Sequence, residues 1–93
     1  MILVVDKRFK RAFKRLIKKN PELQNKIYDT LKLLEIDPFS PSLKSHKLTG
    51  KLDEYWSCSV TYNCRIIFYF ALNQGSEEPR IFLVDIGSHD EIY

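Results

Sequence analysis

Glycine and histidine are both scarce in this 93-residue chain, with three and two copies respectively. No glycine stands in a phosphate-binding loop pattern. His46 and His89 have no second histidine or cysteine at ligand spacing, which argues against a metal centre, and no cofactor motif is present. Cysteine is equally sparse. Cys58 and Cys64 become diagonal neighbours in the hairpin register derived below, where a disulfide would be strained. Both read as small buried hydrophobes of a reducing compartment. A nucleophile elbow is missing. No apolar run approaches the length of a membrane span. Ile2-Leu3-Val4-Val5 is too short for the core of a signal peptide, so a cytoplasmic protein without a membrane partner is expected.

What is present describes a soluble globular domain, 44% hydrophobic and 29% charged. The length allows one domain, residues 1–93, with one modest core. The net charge of +3 conceals an asymmetry. Residues 1–20 carry eight basic side chains and one acid, Asp6, giving 8 − 1 = +7; the rest carries seven and eleven, giving 7 − 11 = −4. A solvated helix face is the plain reading of such a run. A polyanion or an acidic protein is the partner it would attract.

The most informative stretch runs from Tyr55 to Tyr69, where two runs of period two meet at a turn. Opposed residues of an antiparallel pair share a face. A three-residue loop, Thr61-Tyr62-Asn63, pairs Val60 with Cys64, Cys58 with Ile66 and Trp56 with Phe68, keeping the apolar set together. Asn63 would then take the left-handed position. The second face receives Ser59 opposite Arg65, Ser57 opposite Ile67 and Tyr55 opposite Tyr69. An arginine among hydroxyls and tyrosines, away from the core, is where function is sought.

The remaining elements follow in order. Residues 2–5 form a short strand. Asp6 caps a helix whose apolar stripe is Phe9, Ala12, Phe13, Leu16 and Ile17. Asn20-Pro21 ends it and starts a second, Asn as cap and Pro in the first position. Leu23, Ile27, Thr30, Leu31 and Leu34 carry that stripe, and Asp37-Pro38 closes it. Residues 37–54 read as a long connection bearing Lys44, His46, Lys47 and Lys51. Asn73 to Pro79 is a turn. Ile81–Ile86 is a strand with Phe82, Val84 and Ile86 on one face and Ile81, Leu83 and Asp85 on the other. The predicted fold is α+β, in the order β-α-α-β-β-β. It has an antiparallel four-stranded sheet and a two-helix hairpin packed on one face, the Arg65 face being open or covered by a partner.

Two histidines and an arginine fit metal-free RNA cleavage. That chemistry needs a base for the 2′-hydroxyl, an acid for the departing 5′-oxygen and a cation on the phosphorane. Histidine's ordinary pKa suits the first two, and the arginine fork suits the third. Taken alone, each histidine reads as a surface residue.

Three segments go further: H-K-L-T-G-K-L at 46–52, W-S-x-S-V-T-Y-N-x-R-I-I-F at 56–68 and L-V-D-I-G-S-H-D-E-I-Y at 83–93. Together they resemble the RelE/ParE toxin superfamily, with the nearest likeness to RelE, YoeB and YafQ-like mRNA interferases. The resemblance implies a RelE-like fold and a toxin of a type II toxin–antitoxin system. It implies a ribosome-dependent endoribonuclease that needs no cofactor, with mRNA on the ribosome and an acidic antitoxin as partners. His46 matches a candidate general base, Arg65 a strand arginine at the scissile phosphate, His89 a general acid and Tyr93 an aromatic that holds or stacks the RNA. Lys44, Lys47 and Lys51 would contact RNA phosphates. YafQ-like members carry a further histidine and an aspartate in the hairpin; here those positions look like Ser59 and Asn63. The alternative is a ParE-like gyrase inhibitor, or an inactive relative, acting only by binding protein.

Overall fold

A computed structural model describes residues 1–50, 54–72 and 78–92. The chain runs β1 (Ile2–Val5), α1 (Lys7–Lys19), α2 (Leu23–Ile36), β2 (His46–Lys47), β3 (Trp56–Ser59), β4 (Cys64–Leu72), β5 (Pro79–Ser88) and α3 (His89–Ile92), with a 3₁₀ turn at Pro41–Leu43. Asp6 caps α1 as predicted: its carboxylate accepts the Phe9 N–H at 2.8 Å. Phe9 and Ala12 are buried, and Phe13, Leu16 and Ile17 pack at the rim of the core. Asn20 closes α1 rather than opening α2, donating its N–H to the Leu16 carbonyl. The Asn20 and Pro21 carbonyls accept from Leu23 and Gln24, so the second helix begins at Leu23 rather than at Pro21. It buries Ile27, Thr30 and Leu34, and the Thr30 hydroxyl donates to the Lys26 carbonyl at 2.7 Å.

The α+β class stands, but the sheet has five strands and is mixed, in the order β1-β5-β4-β3-β2. The predicted four-stranded antiparallel sheet lacked β2. That strand is only two residues long and polar, so periodicity could not reveal it. His46 pairs with Ser57 and Lys47 with Trp56, antiparallel, and the Leu48 N–H reaches the Tyr55 carbonyl at 2.9 Å. One extra strand adds one reversal of chain direction. β3 and β5 therefore run with β1, and β1 pairs with β5 in parallel.

The hairpin register holds: Trp56 opposite Phe68, Ser57 opposite Ile67, Cys58 opposite Ile66 and Ser59 opposite Arg65. The turn is built differently from the expected left-handed Asn63. Among described residues other than glycine, only Lys44 has a positive φ, at 50°. The Cys64 N–H instead reaches both the carbonyl and the hydroxyl of Thr61, and the Cys64 carbonyl accepts from both Val60 and Thr61. The threonine hydroxyl thus closes the turn locally.

The predicted faces of β5 break at a β-bulge. Ile67 lies opposite Asp85 but Phe68 lies opposite Leu83, leaving Val84 as the extra residue. Ile81 and Leu83, which strict alternation sets on the face opposite Ile86, are fully buried in the core with Phe68, and Ile86 rejoins that same face beyond the bulge. Trp56 packs away from Phe9 and Phe13. Its ring meets Phe39 at 5.4 Å and Phe70 at 5.6 Å, whereas Phe9 and Phe13 stack on each other. Phe39 follows α2 immediately, which carries the aromatic cluster to the other end of the sheet. Cys58 and Cys64 are free and buried. Burial pushes their thiols up to about 12 and about 11, so both are inert. Of the predicted turn from Asn73 to Pro79, residues 73–77 lie outside the described residues, and Pro79 already opens β5.

Phe68 is wholly enclosed and Trp56 only half-buried. Phe68→Ala should therefore cost about 3–5 kcal/mol and Trp56→Ala about 2 kcal/mol, measured by urea unfolding. Equal losses would mean that the tryptophan lies deeper than the packing implies.

Candidate active site

The face of the sheet away from Phe68 carries the polar groups in rows. One row runs His46, Ser57, Ile67 and Asp85; the next runs Ser59, Arg65 and Gly87. Strand pairing alone sets these rows, since opposed residues share a face.

Arg65 sits on the central strand between Ser59 and the hairpin turn. Its Nη1 donates to the Ser59 hydroxyl, and its Nη2 to the Tyr62 carbonyl at 3.2 Å. The shielded Nε has no acceptor among the described residues. The guanidinium lines an open cleft of about 350 Å³ with Tyr62, Asn63, His89 and Asp90. His89 is fixed there by its backbone: its N–H reaches the Asn63 carbonyl at 3.3 Å. Its Nδ1 lies 3.8 Å from the Asp90 carboxylate.

The helical turn carrying His89 is held by two devices. Ser88 and Glu91 form a reciprocal capping box. The Ser88 N–H donates to the Glu91 carboxylate at 3.1 Å, and the Glu91 N–H donates to the Ser88 hydroxyl at 3.3 Å. Hydrogen bonding from the Ser88 backbone N–H, and then from its side chain, holds the Glu91 carboxyl below its usual pKa, with Lys19 and Arg15 adding to the effect. Gly87 lets α3 approach the sheet, since a Cβ there would stand 3.2 Å from the Ile92 side chain. Ile92, with Arg8 and Tyr55, borders the cleft over Ile67, so α3 covers part of the face expected to be open. Arg8 also pairs with Asp85 at 3.2 Å.

His46 lies on the same face but apart from this cleft. Two strand spacings and two residue rises separate its Cα from that of Arg65, roughly 12 Å. Its Nδ1 is 3.2 Å from the Lys44 carbonyl. A carbonyl only accepts, so this contact requires the proton on Nδ1 and leaves the Nε2 lone pair to take one. Lys44 reaches that geometry through its left-handed backbone. Lys47 alternates to the opposite face, beside Trp56. The predicted site residues Lys51 and Tyr93 lie outside the described residues. The structure thus brings together Arg65 and His89, with His46 on the same face and Lys47 turned away. Among the described residues no group of acidic, His or Cys side chains could hold a metal ion.

The family of bacterial toxins of type II toxin–antitoxin systems, YafQ, matches residues 1–93. The chain belongs to this family. Among solved structures, a YoeB/ParE toxin from Agrobacterium tumefaciens superposes with a TM-score of 0.77 at 21% identity, over 96% of this chain and 99% of that one. YafQ from Escherichia coli BL21(DE3) gives 0.77 at 18% identity, over 98% and 96%. YafQ-type toxin from the E. coli DinJ–YafQ toxin–antitoxin complex gives 0.72 at 20%, over 98% and 94%. A search of curated protein sequences finds no match. At these identities the structures show the fold, and the match along the whole chain shows the family.

Reading the sequence passed over two features of this YafQ-family site. Ser88-x-x-Glu91 is a capping-box signature ahead of only one helical turn. Asn63 acts through its backbone carbonyl, which no side-chain pattern reveals. Ser59 and Asn63, two residues of the hairpin, flank Arg65.

A depressed Glu91 carboxyl contributes stability above the usual glutamate range and loses it as pH falls through its folded value. Protection factors of the Ser88 and Glu91 amides, measured by hydrogen exchange, should therefore fall on acidification below the usual glutamate range. Glu91→Ala should expose both amides at neutral pH and Glu91→Gln largely protect them. Unchanged protection in Glu91→Ala would show that Gly87 packing alone holds the turn.

Proposed function

We propose that this YafQ-family toxin is an endoribonuclease that cuts mRNA on the ribosome without a metal. The observation that carries the reading is the Arg65 guanidinium in one cleft with His89, one donor of Nη1 held by Ser59 and one of Nη2 by Tyr62, which leaves a second hydrogen on each. In the proposed reaction, His46 Nε2 takes the proton of a ribose 2′-hydroxyl and the oxygen attacks the adjacent phosphorus. Arg65 bears the charge on the phosphorane oxygens, a role suited to a planar fork. His89 gives a proton to the 5′-oxygen as its bond to phosphorus breaks. The products are a 2′,3′-cyclic phosphate and a 5′-hydroxyl end. Tyr93 stacks against a base, and Lys44 and Lys51 hold phosphates. Lys47, facing the other way, meets ribosomal RNA rather than the cut strand.

Single-turnover cleavage of ribosome-bound mRNA tests this. Arg65→Ala should lose about 3 kcal/mol of transition-state stabilisation, and each histidine replaced by alanine should lose about 10²–10⁴-fold in rate. Arg65→Lys should not restore it, because lysine lacks the planar fork. Wild-type rates in folded Arg65→Ala and His89→Ala would sink the mechanism. Loss in those two but not in His46→Ala would move the base elsewhere. Inhibition of gyrase supercoiling by a chain inert on mRNA would favour a ParE-like toxin instead.

The partner in this reading is an acidic antitoxin, as DinJ accompanies YafQ in the E. coli complex. Lys10, Lys14 and Lys18 are exposed along α1 and free to steer it. Reversing all three charges should slow association at low salt while leaving the folded chain intact. An unchanged on-rate would remove α1 as the steering surface.

A further inference from the structure

Tyr62 stands at the tip of the β3–β4 hairpin with 93% of its surface exposed, the most exposed large hydrophobic side chain among the described residues. A lone exposed aromatic is ordinary in itself. This one borders the cleft that also holds Arg65 and His89. Its backbone is fixed from two sides. The Arg65 guanidinium holds its carbonyl, and the Cys64 N–H closes the turn on the Thr61 carbonyl and hydroxyl. A ring on a pinned backbone loses little entropy on meeting a flat partner, and every nucleobase offers a π-face.

The cleft also has a direction. His89 protonates the departing 5′-oxygen, which belongs to the nucleotide downstream of the cut. His46 works on the 2′-hydroxyl of the upstream nucleotide, and it lies across β3, outside this cleft. Tyr62 shares the side of His89. We infer that Tyr62 is the stacking platform for the base immediately 3′ of the scissile phosphate, coupled to the phosphate site through its own carbonyl on Arg65. The assignment rests on the endonuclease reading above. It adds a residue that touches substrate, and it sets the polarity of the RNA strand across the hairpin.

The test crosses a protein change with a substrate change. Ribosome-bound mRNA is prepared with an intact base, or an abasic site, at the nucleotide 3′ of the cut or at the nucleotide 5′ of it. Wild type and Tyr62→Phe should cleave the intact substrate alike. Tyr62→Ala should reduce kcat/KM by roughly 5- to 150-fold, the span of one base stacked on an aromatic ring. The downstream abasic site should slow wild type by a similar factor and slow Tyr62→Ala little further. The upstream abasic site should slow both proteins in proportion. Because the side chain is exposed, Tyr62→Ala should unfold at the wild-type urea midpoint, which separates a binding loss from a folding loss. An active wild type for which Tyr62→Ala and the downstream abasic site multiply independently overturns the assignment alone. Coupling to the upstream abasic site instead reverses the polarity and overturns it too. A wild type inert on mRNA overturns the endonuclease reading, and the assignment with it.

Discussion

The pairing of Ser59 with Arg65 and of Arg65 with Gly87 is the constraint on which the site depends. Side chains on a strand alternate with a period of two, so a slip of one residue in the hairpin would bury the guanidinium and expose Cys58 or Ile66. The core enforces the register: Cys58, Ile66 and Phe68 are fully enclosed on the opposite face. A buried arginine without a partner would cost several kcal/mol. The cationic site is therefore specified from behind, by packing on the face it does not use.

The register alone would leave a bare arginine on a sheet. What turns it into a cleft is the path of β5 and α3. The bulge opposite Ile67 and Phe68 returns Ile86 to the core and leaves Gly87 facing outward beside Arg65. A Cβ there would press on the Ile92 side chain at 3.2 Å and need it to give by a few tenths of an ångström, so glycine lets the last turn lie close to the sheet. The Ser88–Glu91 capping box then satisfies donors that a helix of this length cannot satisfy internally. Each step is local, and together they set His89 beside Asn63 and Tyr62.

This division explains what the sequence could disclose. The hairpin was legible because its apolar face reads cleanly through Trp56, Cys58, Ile66 and Phe68, and Asp6 announced α1 through a side-chain rule. The two-residue strand at His46 was not legible, because its pairing to Ser57 is a long-range backbone contact with no hydrophobic trace. The direction of β1 was lost with it. Val84 hid the bulge, since a β-branched apolar residue fits either face. The candidate residues Arg65, His46 and His89 emerged from chemistry and from resemblance. That Arg65 and His89 share a cleft while His46 stands across β3 needed the fold. Nothing in the one-letter string marks Tyr62, whose importance comes only from where the turn holds it.

The three polar centres of the site ride on elements of unequal anchorage. Arg65 belongs to the central strand, backed by the core. His89 depends on one helical turn, held by a capping box and the contact at Gly87. His46 sits on a two-residue edge strand, tied by the Ser57 and Trp56 pairings and by the Lys44 carbonyl. Local stability follows buried apolar contact and shielded backbone hydrogen bonds, so it falls in that order. In the proposed reaction the cation that would hold the phosphate is thus the fixed reference, and the groups that would move protons are those a substrate can draw in. Rate enhancement from orientation requires all three within near-attack distance. A separation of roughly 12 Å between the His46 and Arg65 backbones is bridged only when a phosphate and its flanking ribose lie between them. For the proposed cleavage, a site arranged this way is incomplete without RNA, and whatever presents the strand across β3 would complete it.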